Sequence, residues 1–199
     1  MKDEIVEKII QEIFDLYSSF GSQEYGERVT MLMHMMQAAL WAEKKEYSNE
    51  MIVAAFLHDI GHFFENEEKM GKFGTMDHGD LGGKYLKSKG FPNIIQKLVA
   101  SHVETKRYLV ATEPMYWGEL SAASKQTLIY QGGPMSESEI KEFENEEYMN
   151  EFIKIRRLDD LAKDFEMKVD LLDLERMKLK ITEYLRDKIV LKNLAPEYS

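Results

Sequence analysis

The stretch Ala54-Ala55-Phe56-Leu57-His58-Asp59-Ile60-Gly61-His62 sets an imidazole and a carboxylate side by side in an apolar segment. Burying an ionised aspartate without a partner is costly. A metal ion is such a partner, and the two oxygens of a carboxylate can bridge two ions. His58 and His62 are four residues apart and share a face if the segment is helical. That spacing also occurs in single-metal sites, so alone it fixes little. Ser48 stands as an N-cap ahead of it, and the helix is predicted over 49–63.

Outward from this segment the chain is all-α. Residues 3–18 place Ile5, Ile9, Ile10, Ile13 and Leu16 on one stripe at helical spacing. A second helix is predicted from about Glu27 to Lys45, after a turn in FGSQEYG. Polar, Gly-containing residues 64–77 form a loop, and short helices follow at 78–89 and 92–105, the latter opened by Pro92 after Gly90. Residues 107–118 are predicted as loop because of Pro114 and Gly118. A helix runs from Ser121 to Gln131 and stops at Gly132-Gly133-Pro134. Ser136 with Glu139 three residues on forms a capping box. The last helices fall at 146–164 and 169–190, and the tail NLAPEYS is expected to be loose. No stretch alternates with a strand period for long enough to force a sheet. The 199 residues suit one domain over 1–199, with the motif-bearing core at about 20–165 and a C-terminal helix at about 169–190.

Composition removes several function classes. There is no cysteine, so disulfides, thiolate zinc sites and cysteine nucleophiles are excluded. A formal net charge of -10 argues against non-specific nucleic-acid binding, which relies on Lys and Arg. A small anionic substrate would need a locally positive pocket. The N-terminal MKDEIVEKIIQEIF is amphipathic and acidic, unlike a signal peptide. No apolar run approaches the length of about 20 residues that spans a bilayer. A cytoplasmic location is the expectation.

The remaining histidines are His34 in VTMLMHMMQAALWAE, His78 in DHGDLGGKYL and His102 in LVASHVETK, followed by Asp159-Asp160 in FIKIRRLDDLAKD. A lone histidine such as His34 is more often a satisfied core residue than a ligand. Neighbouring aspartates are more often a solvated helix face. The ordered set His34, His58-Asp59, His78, His102, Asp159 is more specific, and it resembles the HD-domain superfamily of helical metalloproteins. Imidazole with carboxylate suits Fe, Mn, Co, Ni or Zn without selecting one. Two metals sharing Asp59 could activate water for phosphoester hydrolysis or, with iron, activate dioxygen.

YGERVTMLMHMMQAALWAE, HDIGH, TEPMYWGELSAASKQTLIYQGGPM and RRLDDLAK together resemble a narrower group, over roughly residues 20 to 165. These are the HD-domain oxygenases of phosphonate breakdown, typified by 2-amino-1-hydroxyethylphosphonate dioxygenase, with myo-inositol oxygenase a more distant relative. The resemblance implies two iron ions in mixed-valent form. One takes His34, His58, Asp59 and Asp159, and the other Asp59, His78 and His102. It implies oxidative cleavage of the carbon–phosphorus bond of a small 1-hydroxyphosphonate, with O2 as co-substrate, giving phosphate and a carboxylate such as glycine. A phosphonate hydroxylase is the implied functional partner. A metal-dependent HD phosphohydrolase acting on a nucleotide or phosphate ester is the alternative, and a catalytically silent binding domain is a third.

Residues near the ligands supply the positive, donor-rich pocket that a phosphonate needs. Lys106 is four residues after His102, Arg156 three before Asp159, and Ser124 and Thr127 are three apart. His62 and Lys106 are the expected catalytic residues and also contact substrate. Taken singly, each of these charges and hydroxyls is as compatible with an ordinary helix surface. The resemblance adds Tyr25 and Glu27 as a lid over the substrate's far end. Here Tyr25 lies two residues before Glu27, where the family pattern has three, and Glu24 takes that place. Ammonium, trimethylammonium or hydrogen on C2 all remain open.

Overall fold

The structure is a computed structural model that describes residues 2–24, 27–64 and 77–198. Its helices are α1 (Lys2–Phe20), α2 (Met31–Lys44), α3 (Asn49–Leu57), α4 (His78–Ser88), α5 (Asn93–Thr112), α6 (Tyr116–Glu119), α7 (Ala122–Tyr130), α8 (Glu137–Glu144), α9 (Met149–Leu161) and α10 (Leu171–Lys188). Among the described residues there is no strand, and the fold is all-α as the sequence predicts. No helix among them is long and apolar enough to cross a membrane.

At the centre lies α3, with every residue from Met51 to Leu57 buried. A helix that is apolar all round must be surrounded, and α2, α5 and α9 pack around it. The stripe of α1 is turned slightly from the predicted one. Val6, Ile9, Ile10, Ile13, Phe14 and Tyr17 are buried, while Ile5 and Leu16 are only partly so. Tyr17 donates a 2.6 Å hydrogen bond to the carbonyl of Phe56. That carbonyl belongs to the last turn of α3, where intrahelical donors run out. The bond thereby fixes the point at which the chain leaves the helix for His58.

Four local predictions are corrected. The helix expected over 49–63 stops at Leu57 and resumes as a 3₁₀ turn over Ile60–Phe63. A Cβ at Gly61 would stand 1.9 Å from the carbonyl oxygen of His78, so the missing side chain is what lets the start of α4 approach this turn. The second helix begins at Met31, because Thr30 caps it by accepting from the Met33 amide. Glu27 is thereby left in the preceding loop. Helix α5 runs to Thr112, since Tyr108 and Leu109 continue its buried face, and Pro114 ends it. The tail is docked: Tyr198 is buried, its hydroxyl donates to Glu12, and Lys89 Nζ lies 2.5 Å from it. The capping box at Ser136 and Glu139 forms as predicted.

Candidate metal centre

Five elements bring the predicted ligands together. His34 comes from the first turn of α2, His58 and Asp59 from the exit of α3, His78 from the first residue of α4, His102 from α5 and Asp159 from α9. All six are buried. The two oxygens of Asp59 divide them. Oδ2 lies 3.3 Å from His34 Nε2 and 3.5 Å from His58 Nε2. Oδ1 lies 3.2 Å from His102 Nε2 and 3.5 Å from His78 Nε2. Asp159 Oδ1 stands 3.4 Å from His34 Nε2, on the first of these sides.

Backbone carbonyls fix the tautomers. Nδ1 of His34, His58 and His102 lies 2.8 Å from the carbonyls of Ala162, Ala55 and Val99 respectively. A carbonyl only accepts, so each Nδ1 carries hydrogen and each Nε2 of a neutral ring carries a lone pair. His34 and His58 Nε2 face one another at 3.0 Å, and His78 and His102 Nε2 at 2.9 Å. The facing lone pairs of His34 and His58 repel unless a proton or a metal cation lies between them. The donor set therefore fits metal ions, and its nitrogen-and-oxygen composition suits divalent first-row metals.

The electrostatics agree. Burial opposes charge on His34, but the carboxylates of Asp159 and Asp59 outweigh it and raise its pKa to about 10. Without metal, a proton on His34 thus supplies the positive charge that the carboxylates need. Burial pushes His58 and His62 down to about 4, so both are neutral at physiological pH. Burial would raise Asp59 and Asp159. The surrounding histidines for the first, and Arg156, Lys163 and His34 for the second, hold both well below the usual carboxylate range.

His62 does not share a helix face with His58 as expected, because the chain breaks between them. Its ring stacks on His78 at 3.8 Å between centroids and 20° between planes. Ligand atoms of Asp59, His62 and His78 lie within 4.8 Å of one another, as do those of His34, His58 and Asp59.

Beside the ligands is a cavity of about 70 Å³. His62, Lys106, Ser124, Thr127, Arg156 and Glu27 all line it. Tyr25 lies outside the described residues. Lys106 is buried and donates to Thr127 Oγ1 at 2.8 Å. Burial, with Arg156 nearby, lowers its pKa to about 7. Glu27 accepts from Ser121 Oγ at 2.6 Å and lies 3.4 Å from Lys163 Nζ. Arg156 borders the cavity with its guanidinium bonded to Asp159, Asp160 and Tyr116.

Lys163 and Gln131 also line the cavity and were missed from the sequence. Lys163 Nζ donates to Ser124 Oγ at 3.0 Å and stands 3.5 Å from Asp159 Oδ1. Both amide atoms of Gln131 are buried with no hydrogen-bond partner among the described residues. Each is four residues past a predicted site residue, Asp159 and Thr127, so the spacing that singled out Lys106 was the available signal.

Comparison with known proteins places this geometry in a family. The HD domain model matches residues 27–131. An uncharacterized protein of Acanthamoeba polyphaga mimivirus is 43% identical over 189 residues, covering 92% of this chain and 85% of that protein. The [1-hydroxy-2-(trimethylamino)ethyl]phosphonate dioxygenase (glycine-betaine-forming) of Leisingera caerulea is 40% identical over 167 residues, 80% of this chain and 82% of that one. Hydroxymethylphosphonate dioxygenase of Gimesia maris is 36% identical over 157 residues, with 77% and 78% covered. With the family model spanning half of its length and these relatives aligned over most of theirs, the chain belongs to the HD-domain family, in the branch that holds the phosphonate dioxygenases.

Proposed function

We propose that this protein is a diiron-dependent oxygenase that cleaves the C–P bond of a small 1-hydroxyphosphonate with O2, giving phosphate and a carboxylate. The observation that carries this reading is the division of Asp59 between two histidine pairs on the wall of a small cavity whose other walls carry amines and hydroxyls. His34, His58, Asp59 and Asp159 would hold one iron, and Asp59, His78 and His102 the other. When bound, the two irons supply the redox chemistry that lets O2 attack a C–H bond with no acidic character.

The side chains do the rest. Lys106 meets the phosphonyl oxygens as the charged donor, held at that place by Thr127. The hydroxyls of Ser124 and Thr127 and the ammonium of Lys163 extend that surface. His62 is neutral and borders the cavity, so it can accept a hydrogen bond from the substrate's C1 hydroxyl. Glu27, on the same cavity, is the carboxylate that an ammonium on C2 would meet. The cavity formed by the described residues is far below the roughly 300–1,000 Å³ of sites for drug-sized ligands. That favours a substrate of a few heavy atoms over the nucleotide of a hydrolytic HD domain. The substrate class requires a prior hydroxylation of the carbon next to phosphorus, which is the place for a phosphonate hydroxylase.

The test is a panel of 1-hydroxyphosphonates with hydrogen, ammonium or trimethylammonium on C2, offered with O2 to protein purified anaerobically and loaded with iron. Phosphate release from at least one of them is expected. Release from phosphate esters alone would replace this reading by hydrolysis.

A further inference from the structure

Two stretches that carry the family likeness, TEPMYWGEL and RRLDDLAK, meet behind the metal centre with no role assigned to Tyr116 or Asp160. Arg156 and Tyr116 are 2% and 1% exposed. The Arg156 guanidinium is held on three sides. Nη1 donates to Asp159 Oδ2 at 2.6 Å, Nη2 donates to Asp160 Oδ1, and Nε donates to the Tyr116 hydroxyl at 2.8 Å. Tyr116 in turn donates to Asp160 Oδ2 at 2.5 Å, which closes the ring of bonds. Arg157 stacks over the Tyr116 ring at 4.6 Å and ties to Glu113 and Glu119 on either side of it. The short helix α6 is in this way fastened to α9.

We infer that Arg156, Tyr116 and Asp160 form a clamp that positions Asp159 as a one-oxygen metal ligand. The inference rests on Asp159 being a ligand. Arg156 occupies Oδ2, and only Oδ1 is turned towards His34 Nε2. A free carboxylate can swing to offer both oxygens to one ion, and the clamped one cannot. A cation on the outer oxygen also draws charge from the carboxylate and weakens it as a donor. The planar fork of Arg156 can hold this direction only while Tyr116 and Asp160 fix its far edge. These three are positioning residues. Arg156 on this account serves the metal rather than the phosphonate.

The test compares Tyr116→Phe and Asp160→Asn with the parent protein loaded with ferrous ion, with Asp159→Asn as reference. Removal of iron by a competing ferrous chelator is followed alongside the KM for the hydroxyphosphonate. Partners of metal ligands typically contribute about 10–100-fold in affinity. Both clamp variants are therefore expected to lose one iron about tenfold more readily, the same iron that Asp159→Asn loses, with the second iron and KM unchanged. Both irons held as tightly as in the parent would overturn the clamp while leaving the ligand assignment standing. A raised KM with unaltered iron would overturn it in favour of a phosphonate contact. Both irons retained in Asp159→Asn would remove the ligand assignment and the clamp together.

Discussion

Lys106 Nζ on α5 reaches Thr127 Oγ1 on α7 at 2.8 Å across the wall of the cavity, with the lysine only 3% exposed. A buried ammonium whose bonded partner is a neutral hydroxyl is held ready for an anion.

Burial, with Arg156 adding to it, brings the Lys106 pKa to about 7, so the free protein loses this charge as pH rises through that value. A phosphonate binds the charged form. On the basic side of 7, kcat/KM should fall by up to about tenfold per pH unit. Lys106→Met should raise KM about tenfold or more and remove that limb of the pH profile. A parent profile flat from pH 6.5 to about 9 would count against Lys106 as the phosphonate's cation.

His34 carries a proton below about pH 10 when no metal is present, because Asp159 and Asp59 outweigh the opposing effect of burial. Metal must displace that proton. Loading ferrous ion near pH 7 should release about one proton per chain, and affinity should rise with pH by about tenfold per unit up to the His34 pKa. Calorimetry in buffers of different ionisation enthalpy measures this directly. No proton release would mean that His34 stays out of the metal's coordination.

His62 stacks on His78 and lines the cavity. His62→Ala should keep both metals and raise KM for the phosphonate by about tenfold, the loss of one hydrogen bond. Its ligand atoms also lie near those of Asp59 and His78. Metal content measured by atomic spectroscopy decides the matter: a halved value makes His62 a ligand.

Gly61→Ala should destabilise the protein by about 1–3 kcal/mol or more, since its methyl would stand 1.9 Å from the His78 carbonyl and push α4 away. The second metal position should weaken with it, because His78 is the first residue of α4. Unchanged thermal stability and metal content would show that α4 can retreat without consequence.

Much of this was legible in the sequence. The all-α class and the caps at Ser48 and Ser136 needed only periodicity and capping chemistry, while the ordered ligand set was legible through its resemblance to HD domains. What was not legible depends on tertiary contacts. The break after Leu57 follows from the approach of His78 to Gly61, which no local propensity encodes. Tyr108 fell in the loop predicted from Pro114 and Gly118, because those two residues do not reveal that the helix face continues to a contact with Glu144. The docked tail depends on Lys89 and Glu12, 109 and 186 residues from Tyr198. Arg156 was legible as a charge one turn from Asp159, but its bonds to Tyr116 and Asp160 join segments about forty residues apart.

The central claim is that Asp59 organises two irons for oxygen chemistry on a hydroxyphosphonate. It is tested most directly by following O2 uptake and phosphate release together in one sample of the iron-loaded protein. Equal amounts of O2 consumed and phosphate formed are predicted, with neither in Asp59→Asn. Phosphate formed at the same rate under argon would contradict it.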